Sequence, residues 1–363
     1  MDFFLNFYLP KIIFISIIQF STYGIRYLIK KKLGSNFDNV FISLFIMYIG
    51  QTSSIFVFFY QQYIVLKKKD SKIGKSFLTI KKFNKFYLKI HFMIFCCCIA
   101  DFIGYFEYHL YYSYKMNKFK YHIYFINGIC LTFFIILNEH FYLKIQIYRH
   151  HYIGLFLIIL TFPIFFTYLF IIKSDYDIYS FILIIIIYLE SKFIESQLYI
   201  IEKKLNYEYF ISIYYILFVQ GIFGIIIIFI SNIIFQLNIG ILFEIFNDYS
   251  NSFIVILYLF LFFILTCVYN LCRLKITEKT RPSNNIIGIF LREVFLHLIN
   301  SFDNNNIWSF DIILSTIFYL LGALIFCEVI TLNFFNLDKY TKNKTMIRAI
   351  DEEFISSMNR DYK

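Results

Sequence analysis

The chain has 363 residues, 60% of them hydrophobic and 16% charged, with a mean hydropathy of +0.66. A soluble domain carries about 25% charged residues, so the composition excludes a soluble globular protein and implies an all-α integral membrane protein. The net charge of +10 does not imply nucleic-acid binding, because the Lys and Arg residues sit in short joints between apolar runs and form no basic domain.

In chain order, MDFFLNFYLPKIIFISIIQF lacks a basic leader region and a small-residue cleavage site, so a retained first spanning helix is expected there. Runs of about 20 apolar residues predict about ten transmembrane helices. The first five fall near 9–29, 39–66, 87–113, 119–141 and 149–172; the second five near 178–202, 208–236, 252–274, 284–303 and 308–336. The range 284–303 is interrupted by Arg292, Glu293 and His297. The expected division is residues 1–175 as a first five-helix unit, 176–336 as a second, and 337–363 as a polar cytosolic tail. With the N-terminus cytosolic, 24 Lys and Arg residues fall in cytosolic joints and 8 on the other side, which favours both termini in the cytosol. Arg26 and Lys30 to Lys32 oppose that bias, and the larger cluster at 67–89 outweighs them.

One predicted helix carries most of the interior chemistry. The run 178–202 is long enough to cross a hydrocarbon core of about 30 Å, yet it holds Glu190, Lys192, Glu195 and Gln197. Each charge at the bilayer centre costs roughly 2.5 to 3.5 kcal/mol, so these groups should face a partner or a wet cavity. Lys192 and Glu195 are spaced i, i+3 and can pair, while Glu190 and Gln197 lie on a different face.

Motifs along the chain resemble the drug/metabolite transporter superfamily, and within it the nucleotide-sugar-transporter-like F branch of solute carrier family 35, of EamA type. Asp101 in CCCIADFIGYFEY matches an Asp of the family's third helix. Gly128, Phe133, Leu137, Phe141, Leu143, Lys144 and Gly154 follow the signature of the fourth and fifth. Gln197, Glu202 and Lys203 precede VQGIFG, with Gln220, Gly221, Phe223 and Gly224. Asn270, Thr277, Pro282, Ser283 and Arg292 follow the string of the eighth and ninth helices, and Gly322 and Glu328 close the tenth. Ile201 and Gln220 stand where the family has acids, and Asn285 where it has an Arg. The resemblance implies ten helices in two inverted five-helix repeats around a cavity that opens alternately to either side. At residue level, the helix pairs around 125–163 and 286–327 share a plan but little sequence.

The candidate substrate-contacting residues are Lys192, Arg292, Asp101, Glu190, Gln197 and Gln220, with Glu195 as a structural partner of Lys192. For Lys192 the ion pair and a substrate contact stay open; for Asp101 a structural role stays open beside a substrate or proton role. Asp101 and Glu107 are six apart and fall on different faces. Gly221 and Gly224 read as close-packing residues. His150 and His151 form no histidine box with the other five His residues. No GxSxG, HExxH or phosphate-binding loop occurs, so no enzyme is expected. The seven Cys residues lack paired spacing, and neither a metal nor another cofactor is expected. The Asn343 sequon falls in the expected cytosolic tail and should stay unmodified.

The resulting expectation is a secondary transporter for a polar, anionic, nucleotide-sugar-like metabolite, sited in an endomembrane or organelle. The alternative is a non-transporting membrane scaffold or partner subunit with the same fold. Expected partners are the small metabolite and the lipid bilayer, with a homodimer left open.

Overall fold

A computed structural model describes residues 14–19, 21, 22, 25, 29, 40–67, 85–113, 120–172, 178–234, 253–292, 294, 310–330 and 332. The polar tail, the segment 237–251, most of the Lys-rich joint, Glu293, His297 and the side chain of Glu107 lie outside the described residues. The described chain is helical and contains no strand. Its helices are α1 (Val40–Thr52), α2 (Ser54–Lys67), α3 (Lys85–Ser113), α4 (Lys120–Leu143), α5 (Arg149–Ile172), α6 (Ile178–Tyr207), α7 (Ile213–Ile234) and α8 (Phe253–Lys279). A 3-10 turn, Pro282–Asn285, leads into helical residues 286–292, and α9 is Phe310–Phe326.

Among the described residues, four helical segments are long and apolar enough to cross a membrane: Ser43–Ile64, Phe86–Gly104, Ile213–Ser231 and Ile256–Lys279. The apolar stretches Gly128–Leu143, Arg149–Ile164 and Ile313–Phe326 are shorter. Helix α6 has 30 residues, but six of them are charged, which sets it apart from the apolar spans and makes it the polar helix of the bundle.

The single helix expected over 39–66 is broken at Ser53. The Ser53 hydroxyl donates to Gly50 O at 2.7 Å and that of Thr52 to Ile49 O at 2.7 Å. These side chains compete with the backbone ladder at the interruption.

Apolar residues at i, i+4 and i+7 give each helix a packing stripe. On α3 the stripe is Ile90, Ile94 and Cys97, set against Leu198 and Leu205 of α6 and Ile216 and Val219 of α7. A second cluster joins Ile129 and Ile136 of α4, Ile158 of α5, Ile286, Phe290, and Tyr319 and Ala323 of α9. Because lipid tails are as apolar as these side chains, close fit and polar links hold such a bundle, more than burial from water does.

Two helix pairs fit through glycine. Helices α5 and α9 run antiparallel, with Gly154 facing Gly322: a Cβ on either would lie 2.7 Å from the other's carbonyl oxygen. Helices α1 and α7 cross likewise, where a Cβ on Gly221 would lie 2.6 Å from Thr52 N and one on Gly224 would enter the Tyr48 ring. Further packing joins α3 with α6 and α7, α4 with α6, and α8 with α1. Gly288 approaches Gln19 of the N-terminal helical residues, its would-be Cβ 2.8 Å from Gln19 Oε1.

Candidate functional site

The polar centre forms where α6 meets α3, α7 and α8, with α1 packed on those last three. Arg273 of α8 donates through Nη2 to Glu202 Oε1 of α6 at 2.8 Å, with side chains only 4% and 0% exposed. The guanidinium lies 5.4 Å from the centroid of the Tyr199 ring, a cation–π contact strengthened by exclusion of water. Gln220 of α7 donates its amide to the same Glu202 oxygen at 3.2 Å. Gln51 of α1 donates to Asp101 Oδ2 of α3 at 3.4 Å. The two carboxylates and Arg273 lie within electrostatic range of one another.

About two to three turns of α6 earlier, Lys192 pairs with Glu195, the contact their spacing predicts. Glu195 has room because α3 places Gly104 beside it; a Cβ there would stand 3.5 Å from Glu195 Oε2. Arg292 is buried, and its charge also reaches Glu195. Two cations of the second unit, a hundred residues apart in sequence, thus converge on one carboxylate. Asn138 of α4 donates to Ser196 Oγ at 2.6 Å, tying the neighbouring helix to the same turn.

The other candidates separate. Gln197 is half-buried, with its Nε2 out of solvent and without a hydrogen-bond partner. Glu190 is exposed and stands outside the centre. It precedes Lys192 by two residues, or about 200° of helical rotation, so it points away from Lys192, as expected for the face it shares with Gln197.

Arg273, Glu202, Gln51 and Asn138 were not among the sequence candidates. Arg273 falls in the last apolar turn of its run and was read as a topology marker of a joint, whereas α8 continues to Lys279 and buries it. The available signal was a buried-spacing argument: Asn270, Arg273 and Thr277 lie at i, i+3 and i+7 on one face, and all three are buried.

A second polar layer closes one end of the bundle. Lys203 of α6 donates to the carbonyls of Thr277, Glu278 and Thr280 at 2.9, 3.2 and 2.6 Å, placing a cation on the negative end of α8. Glu139 of α4 accepts from the Ser283 backbone N–H at 2.9 Å, an anion at the positive start of the turn that leads into residues 286–292. Arg281 Nε lies 4.0 Å from Glu139 Oε1. His151 accepts at Nδ1 from the Tyr148 backbone N–H at 3.2 Å, which leaves Nε2 to donate to Glu328 Oε1 at 3.1 Å. So His150 and His151 serve the joint between α5 and the end of α9, and among the described residues no group of three or more His, Cys, Asp or Glu could hold a metal ion.

In comparison with known proteins, no family model and no curated protein matches this chain.

Proposed function

We propose that this chain is a secondary transporter that moves a polar, anionic metabolite of nucleotide-sugar type by alternating access. The observation that carries the reading is the set of buried cation–carboxylate contacts, Arg273–Glu202 and Lys192–Glu195, on helices of the second half where α6 packs against α3 and α4 of the first. Buried charges are expensive unless they serve a purpose. A carboxylate held against each cation is a chemical stand-in for a phosphate, and exchange of one for the other leaves no charge unpaired.

The packing supports two repeated halves. In the expected order of about ten helices, α1 with α2 is second and α7 seventh, while α5 is fifth and α9 tenth; both glycine-fitted pairs join helices five apart. Advancing each partner by five turns the α3–α7 contact into α8–α1, and both occur. The same step turns α4–α6 into a contact between 286–292 and the first helix, where Gly288 meets Gln19. That pattern is what two inverted five-helix repeats produce, and it agrees with the resemblance to the drug/metabolite transporters. An endomembrane or organelle site and cytosolic termini belong to the same reading.

The alternative, a non-transporting scaffold of the same fold, is favoured by two features: Lys192 and Arg273 already hold carboxylates, and the glycine seams are tight. Counterflow in liposomes bearing the purified chain decides between them. Saturable exchange of labelled nucleotide sugars supports transport; none across the nucleotide-sugar and nucleotide panel, with the protein folded and inserted, supports the scaffold.

A further inference from the structure

Gln51 and Gln220 make the same unusual arrangement from helices five apart. Each is 1% exposed, and each gives its amide hydrogen to a carboxylate, Gln51 to Asp101 and Gln220 to Glu202. Each therefore keeps its carbonyl Oε1 buried with no hydrogen-bond partner. Reversing either amide would put its oxygen against a carboxylate, so the orientation is dictated by charge. Glu202 adds a third such atom, because Arg273 and Gln220 both use Oε1 and leave Oε2 buried without a partner.

The residues that carry these atoms sit on helices that meet. Thr52, next to Gln51, touches Gly221, next to Gln220, at the closest crossing of α1 and α7. Helix α3 spans both sides: Cys98 Sγ reaches Gln220 O at 3.5 Å, and Asp101, one turn on, holds Gln51. Three acceptors exceed what one water can satisfy. A water could take the hydrogen of Arg273 Nε, which also lacks a hydrogen-bond partner, and give its own two hydrogens, and one oxygen would still be bare. A hard cation suits an all-oxygen set. Only one oxygen of the three carries carboxylate charge, and its carboxylate already faces Arg273, so the charge supplied fits a monovalent ion.

We infer that Gln51 Oε1, Gln220 Oε1 and Glu202 Oε2 form a binding site for a small monovalent cation, sodium being the probe. Use of that ion to drive uptake rests on the transport reading above; its binding does not. The test is thermal melting of the full chain in detergent at fixed pH, with sodium chloride against choline chloride at equal ionic strength and no metabolite present. Sodium is expected to raise the melting temperature by about 3 °C in a saturable way, and sodium-22 to bind saturably. Gln51→Leu and Gln220→Leu should each abolish both effects. Equal melting in the two salts overturns the site, whether or not the variants fold. Stability that follows pH but ignores sodium assigns the position to a proton on Glu202, with Asp101, Arg273 and Cys97 as its charged and titratable neighbours, and overturns it too. A sodium effect without metabolite counterflow leaves the site standing and sinks the transport reading, and counterflow without any sodium effect does the reverse.

Discussion

Arg273 on α8 and Glu202 on α6 form an ion pair 2.8 Å long from which solvent is excluded. Removing one member leaves an uncompensated charge, which costs roughly 3–5 kcal/mol, whereas replacing both with apolar groups is often close to neutral. Arg273→Met and Glu202→Leu are therefore each expected to lower the melting temperature sharply, and the two together to recover most of the loss. Melting curves of the four proteins measure the coupling. Additive losses in the double variant refute a paired role.

The glycines offer a comparison within one molecule. A methyl at Gly154 or Gly322 meets backbone at 2.7 Å, while a methyl at Gly104 finds Glu195 at 3.5 Å or beyond. Backbone cannot step aside as a side chain can, so Gly154→Ala and Gly322→Ala are expected to cost roughly 1–3 kcal/mol from overpacking. Gly104→Ala should be neutral or stabilising by up to about 1 kcal/mol through helix propensity. The same order should appear in melting temperatures, and a Gly154→Ala protein as stable as the parent contradicts the close seam.

Much of the helix plan was legible because apolar runs of spanning length have few alternatives. The Lys192–Glu195 pair was legible for a similar reason, since i, i+3 spacing puts two charges on one face before any tertiary contact forms. Long-range partners carry no such local mark. Gln51 is a neutral side chain in an apolar run, and only the fold brings it to Asp101, 50 residues away in sequence. Arg273 was misread because hydropathy loses the end of a helix where charged residues gather, and its burial depends on α6 crossing α8 there. The break at Ser53 escaped for another reason. Its hydroxyl bond accompanies the interruption without changing the hydropathy of the run.

Three described helix ends use left-handed residues that are not glycine: Lys144, Phe210 and Glu328, with φ of 53°, 53° and 57°. At the end of α6, Ile211 N–H donates to Leu205 O at 3.1 Å, the bond that a left-handed Phe210 allows. A side chain in that conformation costs about 1–2 kcal/mol. Phe210 is 76% exposed, so little packing is lost with it. Phe210→Gly is expected to gain about 0.5–1 kcal/mol after the greater freedom of glycine in the unfolded chain is deducted. Phe210→Ala should gain nothing. A glycine variant that melts no higher than the alanine variant argues that the ring at this end contributes more than its strain costs.

Lys192 and Arg292 both act on Glu195, and the transport reading gives that convergence a use. A phosphate entering a region of low effective dielectric needs a cation or stays unpaired at a cost of several kcal/mol. Lys192→Gln and Arg292→Gln are thus expected to abolish or strongly weaken counterflow while the protein still folds and inserts. A purely structural pair makes a different forecast. If Lys192 serves only to neutralise Glu195, the harm in Lys192→Gln comes from the stranded carboxylate, and removing both charges together should restore activity. The double variant Lys192→Gln with Glu195→Gln is therefore the deciding protein, assayed for counterflow beside both single variants and for melting temperature. Recovery of stability without recovery of exchange places Lys192 on the substrate. Full recovery of exchange removes that assignment and leaves Arg292 and Arg273 as the cations to test.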